Sequence, residues 1–396
     1  MKWKSLEDLP IAGNRVLVRV DINVPFKNGR VSDATRINRI FPTIRDIRDM
    51  GGKVVLMAHL GRPRGRVLPE FSLANLLSEL QYALNCKVCL VDAIDSADAP
   101  ARAAIIPDDS VALLENTRFH PGEESNCPSF AASLARFGDI FCNDAFSASH
   151  RAHASTEGIA HLLPNCAGRL LQAELSALNS VLGRPERPLA AIVGGAKVST
   201  KLAVLKHLVG KTDYLIVGGG MANTFHLANG LEVGKSLSEV GMLELVGEIA
   251  AAAKQARCEI VIPVDIVIAE EFRAGANSRT VSASKCPNDA MILDCGPATV
   301  RRISDVLCYC RTLLWNGPLG AFEIEPFDHA TSALAAEAAS LTRQGKLLTV
   351  AGGGDTVAAL RHSGHMESFS YVSTAGGAFL EWMEGKVLPG IRALES

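Results

Sequence analysis

The chain has 396 residues, 48% of them apolar, and its 40 Lys and Arg residues nearly balance 42 Asp and Glu residues. This composition supports two or three folded domains and excludes extensive disorder. A net charge of −2 provides no cation excess for bulk binding to nucleic acid. No apolar run reaches the ~20 residues that span a bilayer. We therefore expect neither nucleic-acid nor membrane partners.

The N-terminal stretch and the cysteines both indicate the cytoplasm. The sequence MKWKSLEDLP has acidic residues where a signal peptide needs apolar ones. Of the ten cysteines, only Cys86 and Cys89 have CxxC spacing, and no second pair completes a zinc set. We expect most cysteines to be reduced and buried as small apolar side chains.

Short apolar runs alternate with longer amphipathic segments along the whole chain, which predicts βαβ units and parallel sheets with helices on both faces. In the first half, the runs predicted as strands are 15–20, 53–58, 87–92, 110–115 and 139–144. Polar or basic residues follow four of them and, with Arg36, form one candidate set: Asp21, Asn23, His59, Arg62, Arg118, His120, His150, Arg151 and His153. Such a set at the carboxyl ends of strands suits a small, highly charged substrate, the alternative being exposed surface charges.

The second half has glycines, instead of charged side chains, at the ends of its predicted strands. These strands are 189–193, 214–217, 260–269, 311–315, 346–350 and 368–372. The glycines come after several of them, at 194–195, 218–220, 352–354 and 376–377. Backbone amides at helix N-termini suit phosphate groups. The sequence therefore predicts a second, anion-binding half-site.

Charged side chains accompany two of these glycine runs. Lys197 and Lys201 are four residues apart, which predicts that both ammonium groups lie on one helix face. Asp355 and Thr356 follow glycine amides, and a lone carboxylate beside a phosphate site suits Mg²⁺. A helix N-cap is an equally reasonable role for Asp355.

Two half-sites in two domains imply a reaction between two bound molecules, with a closing motion. The join is expected near 165–188, where a helical stretch, 169–182, precedes the sequence GRPERP. The segment GLEVGKS (230–236) has one residue too few between its glycines to be a P-loop. No GxGxxG occurs, which counts against the alternative of a nicotinamide-dependent dehydrogenase.

Nine motifs resemble those of the phosphoglycerate kinase family, in the family's order and over nearly the whole chain. The substrate-side motifs are RVDINVP (19–25), HLGRP (59–63), ENTRFH (115–120) and DAFSASHRAHAST (144–156). The nucleotide-side motifs are GGAKVSTK (194–201), GGGMANTF (218–225), WNGPLGAFE (315–323), GGGDT (352–356) and STAGGAFLEWMEGKVLPG (373–390).

The resemblance implies an α/β fold with two Rossmann-like domains, each a mainly parallel doubly wound sheet. Residues 1–168 would bind phosphoglycerate, 169–186 would form a hinge helix and linker, and 187–373 would bind the nucleotide. A tail from about 374 to 396 would pack back on the N-terminal domain. The implied activity is reversible phosphoryl transfer from 1,3-bisphosphoglycerate to MgADP, giving 3-phosphoglycerate and MgATP, by a cytoplasmic monomer.

The resemblance also implies a role for each residue that matches a motif of the family. The implied phosphoglycerate ligands are Asp21, Asn23, Arg36, His59, Arg62, Arg118 and Arg151. The implied nucleotide ligands are Lys197, Lys201, Glu323, Gly353, Gly354, Asp355 and Thr356, with Glu323 on the ribose and Asp355 on Mg²⁺. For catalysis we assign Arg36 and Lys197, which would flank the migrating phosphoryl group, with the amides of Gly353 and Gly376.

Three positions depart from the family pattern. Ala375 stands where the family has the first of three glycines, Ser147 replaces a glycine, and Cys295 replaces an isoleucine. The alanine methyl would crowd a phosphate, or add strain if its φ is positive. Ala375 is the one support for the alternative of a metabolite-binding scaffold on a degenerate kinase fold. The presence of Arg36, Lys197 and Asp355 favours an enzyme.

Overall fold

The computed structural model describes residues 3–27, 29–92, 94–107 and 109–395. These residues form two compact units. One unit runs to Leu175 and resumes at Val387, and the other is Ser176–Lys386. Within the described residues, no helix has the length and apolar character needed to cross a membrane.

Seventeen strands are described. The first unit contains β1 (Arg15–Val20), β2 (Phe26–Lys27), β3 (Arg30–Val31), β4 (Lys53–Met57), β5 (Val88–Val91), β6 (Val111–Leu114), β7 (Ile140–Asp144) and β8 (Asn165–Ala167). The second contains β9 (Leu189–Val193), β10 (Tyr214–Val217), β11 (Glu259–Val261), β12 (Asp265–Ala269), β13 (Ser278–Ser282), β14 (Met291–Cys295), β15 (Thr312–Asn316), β16 (Leu348–Gly352) and β17 (Tyr371–Ser373).

Fourteen α-helices accompany the described strands. The first six are α1 (Thr35–Arg39), α2 (Phe41–Asp49), α3 (Leu77–Leu84), α4 (Ala99–Ala104), α5 (Pro128–Ala135) and α6 (Arg169–Leu178). The others are α7 (Leu202–Val209), α8 (Gly219–Ala228), α9 (Leu243–Ala256), α10 (Pro297–Tyr309), α11 (His329–Arg343), α12 (Gly354–His362), α13 (Gly377–Met383) and α14 (Pro389–Arg392).

Each unit is built on a six-stranded parallel sheet. The strand order is β5-β6-β4-β1-β7-β8 in the first unit and β11-β10-β9-β15-β16-β17 in the second. The central strands β1 and β9 are almost wholly buried, because sheets of this kind are covered on both faces and their strands are continuous apolar runs. The predicted α/β fold class with two mainly parallel sheets is confirmed.

The run IVIPVDIVIA (260–269), predicted as one strand, forms two strands in different sheets. The first, β11, is an edge strand of the parallel sheet, and the second, β12, is the centre of an antiparallel sheet of order β13-β12-β14. Pro263 lies between them and has no N–H to donate to a strand partner. The prediction of a single strand was therefore wrong.

The boundaries between the units differ from those predicted from the sequence. The division after Leu175 falls inside α6, which is the helix that we predict as the hinge. The predicted tail begins too early, because residues 374–386, including α13, belong to the second unit. Only the residues from Val387 onward join the first unit, where the Gly390 N–H donates to the Ser149 carbonyl at 2.9 Å. The Asn143 amide donates to the Gly390 carbonyl at 3.1 Å.

The ten cysteines are all free thiols, and six of them are buried. Cys142 and Cys166 are direct neighbours on β7 and β8 and are fully buried in the first sheet. Their burial agrees with the expectation of small apolar side chains in strands.

One buried histidine stands out in the second unit. His226 on α8 is 1% exposed, and the described residues give neither of its ring nitrogens a hydrogen-bond partner. Burial lowers the pKa of His226 below its ordinary value of 6.5, because a charged ring would lose its hydration. The ring is therefore neutral at physiological pH and its polar atoms are unsatisfied.

Replacing this ring with an apolar side chain is expected to stabilise the protein. His226→Leu should raise the free energy of unfolding by about 1 kcal/mol at pH 8, since it removes an unsatisfied buried polar group. Below about pH 6.5 the histidine binds a proton in the unfolded chain but not in the folded protein, so the wild type loses stability. The stability gained by His226→Leu over the wild type should therefore grow as the pH falls. Denaturant unfolding at pH 8 and pH 5 measures both effects. Equal gains from His329→Gln, an exposed control, would contradict this explanation.

Candidate active site

The first unit brings three predicted ligands together beside the end of β1. The Arg36 guanidinium donates to Asp21 Oδ1 at 3.2 Å and to the Asn23 carbonyl at 3.0 Å. Asn23 Oδ1 accepts from the Gly61 N–H at 3.0 Å, which joins the loops that follow β1 and β4. Asp21 is buried, whereas the Arg36 side chain remains 35% exposed. Arg36 is thus oriented by protein partners and still accessible to a ligand.

Ser147, where the resemblance implies a glycine, contacts this cluster directly. Its hydroxyl donates to Asp21 Oδ2. A glycine has no hydroxyl to offer, so Ser147 adds a link between the loop after β7 and the end of β1. The serine therefore fixes Asp21 in addition to Arg36.

Two further predicted ligands lie on adjoining loops. Arg118 is buried, donates to the Gly61 carbonyl at 2.8 Å and lies 3.2 Å from Glu124 Oε1. His59 follows β4, and its pKa is held well below 6.5 by burial and then by the cations Arg19 and Arg118. His59 is therefore a neutral ring at physiological pH.

Two predicted ligands are less enclosed than the others. Arg151 is half-buried, and its Nε donates to His150 Nε2 at 3.1 Å. Arg62 is exposed in the loop after β4, and within the described residues no hydrogen bond or ion pair joins it to the cluster. Within the described residues, neither Arg62 nor Arg151 is bonded to the group formed by Asp21, Asn23 and Arg36.

Two histidines of the candidate set, His120 and His153, are held by contacts within the protein. His120 stacks on Phe130 with ring centroids 3.9 Å apart, and its Nδ1 accepts from the Gly122 N–H at 3.0 Å. His153 is buried, and burial and Arg118 lower its pKa to about 3. The His153 ring is therefore neutral at physiological pH.

Sequence reasoning missed Arg19, which lies beneath these residues. Arg19 is 1% exposed at the end of β1, and its Nη2 lies 2.8 Å from His59 Nδ1. Its Nε donates to Ser155 Oγ at 3.0 Å. The available signal was a charged residue inside the otherwise apolar run RVLVRV, because a buried charge needs partners.

In the second unit, Lys201 lies where β9 and β15 end. Its Nζ donates to the Gly194 carbonyl at 2.6 Å and to the Asn316 carbonyl at 3.0 Å. Burial lowers the pKa of Lys201 to about 8, an effect that the nearby Asp355 carboxylate partly offsets. Lys201 is thus a positive charge held at the carboxyl edge of the sheet.

The prediction that Lys197 and Lys201 share a helix face was wrong. Helix α7 begins at Leu202, so both lysines precede it in a series of turns. The Thr200 hydroxyl donates to the Lys197 carbonyl at 2.8 Å and closes one of these turns. Lys197 is exposed, whereas Lys201 is largely enclosed.

Thr356 holds two glycine loops together through its hydroxyl. That hydroxyl accepts from the Gly317 N–H at 2.7 Å and donates to the Gly352 carbonyl at 2.9 Å. The side chain is 2% exposed. Any contact of Thr356 with a nucleotide would therefore come from its backbone amide at the start of α12.

The start of α12 combines exposed amides with a carboxylate. Gly353 has φ +98°, and a Cβ there would lie 2.6 Å from Asn316 Nδ2, so this position requires glycine. Gly354 and Asp355 are exposed in the first turn. Glu323 is also exposed, in the turns that follow β15.

Ala375 is compatible with the local backbone. Residues other than glycine with positive φ within the described chain are Arg64, Asn85, Asn126 and Arg257, and Ala375 is not among them. The Ala375 N–H donates to Ser373 Oγ at 3.2 Å, and the left-handed conformation falls on Gly376, with φ +55°. The strain that a positive φ would impose on an alanine does not arise.

A cationic cluster at one carboxyl edge and exposed amides with Lys201 at another define an α/β protein suited to phosphorylated ligands. Comparisons with known proteins narrow this class. The family model described as "Phosphoglycerate kinase" matches residues 6–386. The chain is 60% identical over 395 residues to the phosphoglycerate kinase of Cereibacter sphaeroides and 57% identical over 396 residues to that of Methylorubrum extorquens. These alignments cover 100% of this chain and 100% and 99% of the two relatives.

Solved structures agree. The phosphoglycerate kinase of Coxiella burnetii is 40% identical with a TM-score of 0.93, covering 99% of each chain. That of Pyrococcus horikoshii is 28% identical with a TM-score of 0.80, covering 98% of each chain. The chain belongs to the phosphoglycerate kinase family and is an enzyme of phosphoryl transfer.

Lys201 is a nucleotide ligand in the sequence-based hypothesis, and its pKa gives that role a testable pH dependence. Above pH 8 the ammonium group loses its proton, so the affinity for ADP should fall by up to about tenfold per pH unit. Lys201→Arg stays charged and should bind ADP with little change between pH 7 and pH 9.5. Calorimetric titration measures both. The control Lys206→Arg, on an exposed lysine paired with Glu248, should retain the wild-type slope; an identical slope in Lys201→Arg would contradict this role.

Proposed function

We propose that this protein catalyses reversible phosphoryl transfer from 1,3-bisphosphoglycerate to ADP, giving 3-phosphoglycerate and ATP, in the glycolysis and gluconeogenesis of the cytoplasm. The observation that carries the proposal is the hydrogen-bonded group Asp21, Asn23 and Arg36 in a chain of this family. It supplies acceptors for a substrate hydroxyl and a guanidinium for a phosphate or carboxylate in one place.

The phosphoglycerate is proposed to bind at the carboxyl edge of the first sheet. Arginine side chains bind phosphate and carboxylate groups through paired hydrogen bonds, which suits a substrate that carries both. The proposed ligands are Asp21, Asn23, Arg36, His59, Arg62, Arg118 and Arg151. The accessibility of Arg36 and Arg62 supports roles on the exposed side of the bound molecule.

The nucleotide is proposed to bind at the carboxyl edge of the second sheet. Lys201 and the amides of Gly353, Gly354 and Thr356 would hold the phosphates, and Glu323 would accept hydrogen bonds from the ribose. Lys197 is exposed and free to extend toward the transferred group.

The donor set at the start of α12 fits a magnesium ion carried by the nucleotide. Asp355 is a single exposed carboxylate beside backbone amides, and Mg²⁺ prefers one or two carboxylates together with water and phosphate oxygens. When bound, the ion would neutralise phosphate charge. Within the described residues, the one cluster of three ligand side chains is Glu325, Asp328 and His362, and it does not include Asp355.

The proposed mechanism uses no general base. In the ATP-consuming direction the nucleophile is a carboxylate, which is ionised at neutral pH because carboxyl pKa values lie near 4. His59 and His153 have lowered pKa values and serve as neutral positioning groups. Arg36 and Lys197 would flank the migrating phosphoryl group, with the amides of Gly353 and Gly376 as further donors.

The two half-sites act on different substrates, so direct in-line transfer requires that they meet. We propose closure about the helix and linker 169–186 within a monomer, which also excludes water from the acyl phosphate. The test is ADP formation from ATP, Mg²⁺ and 3-phosphoglycerate, with a coupled dehydrogenase that removes the bisphosphate product. ADP that forms only when 3-phosphoglycerate is present supports the proposal. If no ADP forms and neither substrate binds, the proposal is wrong.

Arg36→Ala should lower kcat by about 100-fold or more while the KM for ATP changes by less than about threefold, because its guanidinium stabilises charge that develops in the transition state. Steady-state kinetics with both substrates varied measure the split. Arg45→Ala, which removes an exposed arginine paired with Asp46, is the matched control and should behave as wild type. Weaker binding of both substrates with kcat intact would rule out this role.

Asp355→Asn should weaken MgADP binding by about tenfold or more and leave 3-phosphoglycerate binding unchanged, because the amide is a poor ligand for Mg²⁺. Calorimetric titration with each ligand separates the two effects. Asp305→Asn on the exposed face of α10 is the control. A parallel loss of 3-phosphoglycerate affinity would indicate a general structural effect instead.

A further inference from the structure

A line of hydrogen bonds buried in the first unit joins Glu123 to His59. Ser155 Oγ bonds Glu123 Oε1, and the Ser155 N–H donates to Glu123 Oε2 at 3.0 Å. Arg19 Nε donates to the same Ser155 oxygen at 3.0 Å, and Arg19 Nη2 lies 2.8 Å from His59 Nδ1. Glu123 and Ser155 are fully buried, and Arg19 is 1% exposed.

The direction of each hydrogen bond in this line follows from the chemistry of the groups. A guanidinium has donors only, so Ser155 Oγ accepts from Arg19 Nε. The Ser155 hydroxyl proton is then directed to the Glu123 carboxylate, which accepts. At the other end, Arg19 Nη2 can only donate, so His59 Nδ1 must be the acceptor.

We infer that Arg19, held by Ser155 and Glu123, fixes His59 as the neutral tautomer that carries its proton on Nε2. A neutral imidazole has one N–H and one lone pair. Since the Nδ1 lone pair is used by Arg19, the proton lies on Nε2. Arg19 and Glu123 are thus positioning residues that act through His59.

The surroundings of His59 keep the ring neutral as well as oriented. Burial and the positive charges of Arg19, Arg118 and Arg151, with His153 nearby, all lower the pKa of His59. Double protonation would also break the hydrogen bond from Arg19, because Nδ1 would then be a second donor. A tautomer with Nδ1–H is excluded for the same reason.

This tautomer presents a hydrogen-bond donor where an anionic substrate is proposed to bind. Within the described residues, His59 Nε2 has no protein partner, and the residue keeps 9% of its surface exposed. An Nε2–H donates to a carboxylate or phosphate oxygen, whereas an Nε2 lone pair would repel it. This last step rests on the proposed function, but the tautomer itself does not.

The tautomer is measurable in the ligand-free protein by long-range ¹H–¹⁵N correlation spectroscopy on ¹⁵N-histidine-labelled samples. The His59→Gln variant identifies the His59 signals among those of the ten histidines. We expect an unprotonated Nδ1 and a protonated Nε2 at pH 7.5. A protonated Nδ1, either alone or with Nε2, would overturn the inference whatever the enzyme's activity.

Two variants separate the donor from the rest of the line. Arg19→Met removes the donor to His59, and we expect a mixture of both tautomers and a KM for 3-phosphoglycerate raised about tenfold, with the KM for ATP unchanged. Ser155→Ala keeps Arg19 and should keep the single tautomer. A single Nε2–H tautomer in Arg19→Met would show that Arg19 does not fix the ring. Should Arg19→Met not fold, the wild-type spectrum decides the tautomer itself, and Arg19→Gln, which also removes the guanidinium, tests whether Arg19 fixes it.

Discussion

Both half-sites depend on one constraint, which is that the strands of a parallel sheet all end at the same edge. In the first sheet, β1 lies between β4 and β7, so the loops that carry Asp21, His59 and Ser147 are adjacent. In the second, β9 lies between β10 and β15, and Lys201 reaches the carbonyls at the ends of both β9 and β15. Segments that are far apart in sequence thereby place their side chains next to one another at the edge of the sheet.

The second organising effect is the repulsion among cations in the first unit. Burial, and then the charges of the nearby Arg19, Arg118 and Arg151, lower the pKa of both His59 and His153 and keep the rings unprotonated. Glu123 compensates part of the charge from a fully buried position. The arginines therefore remain the permanent positive charges, and the two histidine rings stay neutral. This division suits a reaction whose nucleophile needs no base.

The sequence predicted the sheets well and the side-chain partners less well. Apolar runs such as 15–20 and 189–193 coincide with β1 and β9, because buried parallel strands are continuous apolar segments. The run 260–269 was wrongly predicted as one strand, because a local pattern of apolar residues cannot show that the chain passes from one sheet to another at Pro263.

Spatial neighbours also determine which contacts the individual site residues make. The hydroxyl of Thr356 is occupied by Gly352, one helical turn away, and by Gly317, which is distant in sequence. Arg19 gains its role from His59 and Ser155, both of which are far from it in sequence. The exposed positions Lys197, Glu323 and Asp355 could be proposed from their motifs, because few protein contacts compete for them.

The return of the chain to the first unit makes that unit discontinuous in sequence. Its last helix, α14, carries Gly390, which bonds Ser149 and Asn143, and the buried side chains Ile391 and Leu394 lie in the same segment. During synthesis the ribosome must therefore complete all of residues 176–386 before the first unit obtains these contacts. The second unit has its whole sequence available earlier, so it can finish folding before the first unit obtains its closing segment.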